Sequence, residues 1–201
     1  MVDIKRKKIV LGMTGATGAI YGVRLLQILR ELGEYETHLV MTSAGVLNLA
    51  HELDLKRADV QAMADITYDY RDLGACIASG AFHTDGMIIA PCSMKTLAAV
   101  AHGYSDNLVT RAADVSLKER RRLVIVPRET PLNLIHIRNM ATVTEVGGII
   151  FPPLPAFYNT TKTLNQLIDE TVGRILGLLG IEAPGLYEPW LGLKNQAWLE
   201  E

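Results

Sequence analysis

Ile9-Val10-Leu11-Gly12-Met13-Thr14-Gly15-Ala16-Thr17-Gly18-Ala19-Ile20-Tyr21-Gly22 carries three signals in a row. An apolar run ends at Met13, a glycine-rich turn follows, and a stripe at Ile20, Val23, Leu26, Leu29 and Leu32 runs on to Gly33. This spacing predicts a buried strand, a tight turn and an amphipathic helix stopped by glycine. Glycines let the turn bend sharply and bring backbone close to an anion, and the helix start adds unpaired amides with a partial positive charge. The stretch reads as a nucleotide- or phosphate-binding loop, with a plain strand-to-helix turn as the blander alternative.

The same alternation continues outward. Short apolar runs predict strands over 8–13, 37–41, 86–90, 123–126 and 148–151, and continuous rather than alternating hydrophobicity suits parallel strands covered on both faces. Between them, Ser93 can cap a helix running through Ala101, 107–119 reads as another, and Thr130 can cap a third starting at Pro131. The last helix repeats Leu164, Leu167, Ile168, Val172, Ile175 and Leu178. Residues 54–81 read only as short helices and irregular chain. The expectation is one α/β domain built on an open, doubly wound parallel sheet, with a C-terminal tail over about 182–201 that is extended or interface-forming.

Composition narrows the function. The 201 residues hold 20 Lys plus Arg and 22 Asp plus Glu, a net charge of −2, which leaves no electrostatic footprint for nucleic acid or an anionic membrane. A chain of this length buries about 70% of its surface on folding, enough for a single sizeable core. Cys76 and Cys92 form neither a close pair nor a cluster with histidine, so no zinc site or disulfide framework is readable. Lys5-Arg6-Lys7-Lys8 imitates the start of a secretory signal, but the glycine-rich stretch after Leu11 is too polar to continue one. No run approaches the ~20 apolar residues that span a bilayer. A cytoplasmic, soluble protein is expected.

Ligands of such sheets bind beyond the carboxyl ends of the strands. After the second strand come Thr42 and Ser43, where an NAD-binding unit would place an acid; hydroxyls suit a phosphate or a flavin edge, or simply cap a helix. Ser93-Met94-Lys95-Thr96 is a second capped helix start, and Lys95 there opposes the helix dipole unless an anion lies nearby. Val126-Pro127 leads to Arg128 and Glu129, a charged pair at the edge of the site or a mutual salt bridge. Lys118 and Arg111, seven apart, share a helix face. Pro152-Pro153-Leu154-Pro155-Ala156-Phe157-Tyr158 is a stiff loop that can wall an apolar pocket, and Arg174 is either a snorkelling surface arginine or a phosphate fork. Tyr158-x-x-x-Lys162 imitates the catalytic pair of short-chain dehydrogenases, but that chemistry needs both residues on one helix, and here a proline-rich loop carries the tyrosine.

Six stretches in order resemble the flavin prenyltransferase (UbiX) family over nearly the whole chain. They are 12–22, Pro91-Cys92-Ser93-Met94-Lys95-Thr96-Leu97, Arg111-Ala112-Ala113-Asp114-Val115, Leu117-Lys118-Glu119-Arg120-Arg121, Pro127-Arg128-Glu129-Thr130-Pro131-Leu132 and Pro155-Ala156-Phe157-Tyr158. The resemblance implies a flavodoxin-like (Rossmann-like) homo-oligomer, a dodecamer, with active sites at subunit interfaces. It implies transfer of a dimethylallyl group from dimethylallyl monophosphate to N5 and C6 of reduced FMN, the prenylated FMN then passing to a UbiD-type decarboxylase. Position for position, FMN contacts fall on Gly15, Ala16, Thr17, Thr42, Ser93, Met94, Lys95, Thr96 and Arg128. Dimethylallyl phosphate contacts fall on Tyr158, Arg174, Lys118, Arg111 and Trp190, with catalytic roles for Glu129, Lys118, Tyr158 and Glu52. Thr17 and Thr42 stand where serine is common in the family, and both keep the hydroxyl.

Departure of an allylic phosphate leaves a cation and an anion, so the site must stabilise the leaving group. Magnesium-dependent prenyl transfer does this through Asp-Asp-x-x-Asp runs; Asp65, Asp69 and Asp72 have the wrong spacing. Fixed cations suffice for a monophosphate, and metal-independent chemistry is the expectation. Two alternatives stand beside it: an FMN-dependent decarboxylase, and a non-catalytic accessory subunit of an aromatic-acid decarboxylase.

Overall fold

Fourteen elements follow one another in the computed structural model, which describes residues 6–157, 163–187, 190 and 192. They are β1 (Lys7–Met13), α1 (Ala19–Leu32), β2 (Tyr35–Met41), α2 (Ser43–Leu53), α3 (Arg57–Gln61), β3 (Ile66–Asp69), a short 3-10 helix (Cys76–Ala78), β4 (Gly86–Cys92), α4 (Met94–Ala101), α5 (Leu108–Lys118), β5 (Leu123–Pro127), α6 (Leu134–Glu145), β6 (Ile149–Ile150) and α7 (Leu164–Leu178). The strands form one parallel sheet in the order β3-β2-β1-β4-β5-β6. This is the Rossmann order; without the short edge strand β3, the remaining 2-1-4-5-6 is the flavodoxin order.

The pleat divides the core into two layers. Ile9, Leu11, Met13, Ile88, Ala90, Val124 and Val126 face α1 and α7, while Val10, Met87, Ile89, Leu123 and Ile125 face α4 and α5. Burial on both faces explains why the central strands read as unbroken apolar runs. Gly33 ends α1 in the left-handed conformation, at φ 71°, as expected for a glycine stop. Among the described residues no helix is long and apolar enough to cross a membrane.

Two elements differ from expectation. β3 was not legible because it has only four residues and is mostly exposed; pairing of Ile66 with His38 through Asp69 with Met41 makes it a strand. The sixth helix begins at Leu134, not Pro131. Asn133 is its cap, its side-chain oxygen accepting from the His136 amide at 2.9 Å, so residues 130–133 remain loop. Asparagine outranks threonine as a cap.

Candidate active site

The site grows from Thr14, the first residue past β1. Its side chain is buried. The Thr14 amide and hydroxyl both donate to the Pro91 carbonyl, at 3.1 and 3.0 Å, and the hydroxyl oxygen accepts from the Ser93 amide at 2.8 Å. Strand order reverses between β1 and β4, so this one side chain ties together the two loops that flank the crevice. The Thr42 amide donates to the Met13 carbonyl at 3.0 Å, and the Arg128 amide to the Cys92 carbonyl at 3.2 Å. The loops after β2, β1, β4 and β5 therefore form one connected crest. Sequence reading passed over Thr14; its place directly after a strand end was the available signal.

The crest is rich in donors. Thr42 caps α2, its hydroxyl accepting from the Gly45 amide at 3.1 Å, and Ser93 caps α4 in the same way toward Thr96 at 3.3 Å. The Ser93 hydroxyl also donates to Thr96 Oγ1 at 3.1 Å. Each cap leaves first-turn amides without intrahelical acceptors, at Ser43 and Ala44 and at Met94 and Lys95. Among the described residues, neither the Gly15 nor the Thr17 amide has a protein acceptor. Arg128 adds a guanidinium, and among the described residues it makes no ion pair with Glu129, whose carboxylate instead accepts from the Thr130 amide at 3.1 Å. Burial raises the Tyr21 phenol above its ordinary value, and the Arg128 charge pulls it back, so that charge reaches across to α1. Two helix starts, a cation, and apolar edges at Ala16 and Met94 suit a flat aromatic ring bearing a phosphate.

The other expected residues divide. Arg174, exposed on α7, lays its guanidinium over the Phe151 ring, 5.5 Å from the centroid. Phe151 follows β6, its amide donating to the Ile125 carbonyl, so Arg174 is carried to the carboxyl end of the sheet. Glu52 bonds the start of α1. Trp190 is exposed, and Tyr158 lies outside the described residues. Lys95 turns outward to Asp106, 3.6 Å away, with 80% of its side chain exposed, which is the ordinary surface arrangement for a lysine.

Lys118 is not at this crest within one chain. Lys118 ends α5, paired with Glu119, and its amine lies beside Gly80. The adjoining Arg121 binds the carbonyls of Gly80 and Phe82, on the segment leading into β4. Lys118 is thus at the amino edge of β4, a strand length of about 20 Å from Ser93. Arg111 does share its helix face, donating to the Ala78 carbonyl at 3.1 Å and to Asp114 at 2.7 Å. Helix periodicity put the two together correctly; the direction of α5 put Lys118 at the other edge.

Complete burial pushes the Cys92 thiol far up, so it packs as an apolar group and not as a nucleophile. Among the described residues no three His, Cys, Asp or Glu side chains converge as they would around a metal ion.

Known proteins share both this sequence and this geometry. The family profile described as Flavoprotein matches residues 2–176. Flavin prenyltransferase UbiX of Escherichia coli K12 is 51% identical over 187 residues, covering 92% of this chain and 99% of that protein. The crystal structure of AnUbiX (PadA1) in complex with FMN and dimethylallyl pyrophosphate superposes with a TM-score of 0.91 at 50% identity, over 94% of this chain and all of that one. A dodecameric FMN-dependent UbiX-like decarboxylase from Escherichia coli O157:H7 gives 0.89 at 49% identity, over 92% of this chain and all of that one. Sequence and fold agree, and the chain belongs to the UbiX family of flavin prenyltransferases.

Proposed function

We propose that the chain transfers a dimethylallyl group from dimethylallyl phosphate to N5 and C6 of reduced FMN. The observation that carries this reading is the crest itself: Gly15, Ala16, Thr17, Thr42, Ser93, Met94, Thr96 and Arg128 meet at one sheet edge, with Arg174 brought to the same edge. Reduced FMN supplies the nucleophilic N5 and C6. The crest amides and hydroxyls hold its phosphate and fix the ring, which is catalysis by positioning. Arg174 neutralises the departing phosphate, joined by the Tyr158 hydroxyl, so that no metal is needed. Glu129, at the loop edge, steers the released phosphate, which takes the ring-closing proton.

Lys118 and Arg111 enter this scheme from a neighbouring subunit. Support comes from the place of Lys118 at the far edge and from the apolar surface a homo-oligomer would cover: Leu134, Ile135 and Ile137 on α6, and Leu154, Phe157 and Leu164 further along the chain, are all exposed. A dodecamer like that of the Escherichia coli protein is the assembly we favour, with the C-terminal tail joining subunits. The product leaves for a UbiD-type decarboxylase, and the chemistry is cytoplasmic.

The dodecameric Escherichia coli relative is called an FMN-dependent decarboxylase, which keeps a second reading in which FMN stays bound as a permanent cofactor. One assay separates them. Reduced FMN is incubated with dimethylallyl monophosphate, or with the diphosphate in a parallel arm, and the extracted flavin is weighed by mass spectrometry. A gain of one prenyl unit is expected with the monophosphate; unchanged flavin in both arms sinks the transferase reading.

A further inference from the structure

A cluster of titratable side chains lies away from the crest. His38, on β2, is fully buried on the face of the sheet that meets α5, the face its neighbour Val40 also lines. Both ring nitrogens are engaged: Nε2 lies 2.9 Å from a Glu36 carboxylate oxygen and Nδ1 lies 2.8 Å from the Tyr68 hydroxyl. Burial lowers the pKa of the imidazole, so the ring is neutral near pH 7. Ionised Glu36 can only accept, so Nε2 carries the ring proton and Nδ1 accepts from the Tyr68 hydroxyl. The Tyr68 oxygen is then left to accept from the Cys76 thiol, 3.1 Å away. The same imidazole stands edge-on to Phe82, ring centroids 5.5 Å apart, and the Lys8 amine sits 4.1 Å from the centroid of that phenyl ring. His38 thereby reaches both ends of the segment 76–82, Cys76 through Tyr68 and Phe82 through its ring.

That segment is the bed on which two cations of α5 rest. Arg111 donates to the Ala78 carbonyl at 3.1 Å, and a Cβ on Gly80 would lie 2.6 Å from the Lys118 amine. Arg121 adds bonds to the Gly80 and Phe82 carbonyls, at 2.7 and 2.9 Å. The segment is therefore clamped from one side by α5 and from the other by the imidazole and its partners. We propose that His38 is a positioning residue for the half-site that Arg111 and Lys118 carry: through Tyr68 and Phe82 it fixes the segment 76–82, and the fixed segment sets where the two cations stand. A buried polar network rigidifies its surroundings when every member is satisfied, and a phosphate is bound more tightly by cations that are already in place. The inference rests on the reading in which these cations meet the dimethylallyl phosphate of a neighbouring subunit. The crest lies at the other edge of the sheet, so its hold on FMN does not pass through His38.

The test uses Tyr68→Phe and His38→Gln in the full chain. Tyr68→Phe is the milder change, since it keeps the ring and removes only the hydroxyl that links His38 to Cys76. In steady-state prenylation, the KM for dimethylallyl monophosphate should rise about fivefold in each variant, while FMN affinity by flavin fluorescence stays within about twofold of wild type. A merely structural role would lower the amount of folded enzyme, and the rate with it, and leave KM where it was. Hydrogen exchange read by mass spectrometry supplies a second measurement. The Ala78, Ser79 and Phe82 amides, bonded to the carbonyls of Ala75, Cys76 and Ser79, should exchange faster in both variants, while β4 keeps its wild-type protection. If His38→Gln does not fold, Tyr68→Phe decides on both readouts. Unchanged KM in a folded variant, or unchanged exchange over 76–82, overturns the proposal. Wild type that fails to prenylate reduced FMN overturns the functional reading instead, and the exchange over 76–82 still decides whether His38 holds the segment.

Discussion

Thr14 shows how much a single hydroxyl can organise. Its Oγ1 donates to Pro91 and accepts from Ser93 inside a buried contact, so removing it strands the Ser93 amide and takes one of two donors from the Pro91 carbonyl. Thr14→Val, close in shape but lacking the hydroxyl, should lose about 1–3 kcal/mol in urea unfolding and bind FMN less tightly, while Thr14→Ser should recover most of both. Equal stability of the valine and serine variants would show that the hydroxyl does not hold the crest together. His38 makes a second prediction at this scale. Its ring is fully buried on β2, between Tyr68 at 2.8 Å and Glu36 at 2.9 Å. Burial lowers its pKa from 6.5, with Lys8 acting in the same direction; the Glu36 bond and charge, and Asp65, pull the other way without winning. Below that ordinary value the unfolded chain takes up a proton that the folded chain refuses, so stability is full above pH 6.5 and falls as the pH drops below it. The urea midpoint should therefore fall between about pH 7.5 and 5.5, and fall less in His38→Gln; identical slopes would contradict the assignment.

Elements meet most closely where α1 crosses the sheet. A Cβ on Gly22 would lie 2.6 Å from the Ala90 carbonyl oxygen and 2.7 Å from Met13 Cε. Backbone lies on one side of that contact, so the helix would have to lift from β4 just beneath the crest. Gly22→Ala should cost about 1–3 kcal/mol despite alanine's better helix propensity, with a matching loss of FMN affinity. A neutral or stabilising result would show that α1 has room to move. Gly45 has the same character, a Cβ there meeting the Met13 carbonyl oxygen at 2.6 Å. Both glycines were visible in the sequence, but only their neighbours explain them.

At the scale of the whole molecule, the separation of Lys118 from Arg174 becomes a measurement. A site shared between subunits can be complemented: Lys118→Ala and Arg174→Ala should each be nearly inactive alone, and should regain prenylation when co-expressed in one assembly, because some interfaces then receive both wild-type residues. Arg174→Ala alone should weaken use of the dimethylallyl donor and spare FMN affinity, since it removes a phosphate fork and leaves the crest intact. No recovery on mixing would return all the chemistry to a single chain.

Strands, helices and the glycine turn were readable because hydrophobic periodicity is a local property, written within ten or so residues of itself. The family motifs at Gly15–Gly18, Ser93–Thr96 and Arg128 were equally local, and the parallel sheet carried them to one edge as expected. The chain alone could not show β3, whose four residues become a strand only by pairing with β2, or the start of α6, chosen by one side-chain bond over another. Nor could it show that Glu52, 34 residues from Gly18, closes the first helix, or that Lys118 lies at the opposite edge from Ser93. Those are distances across the fold, and no distance of that kind exists until the chain has packed.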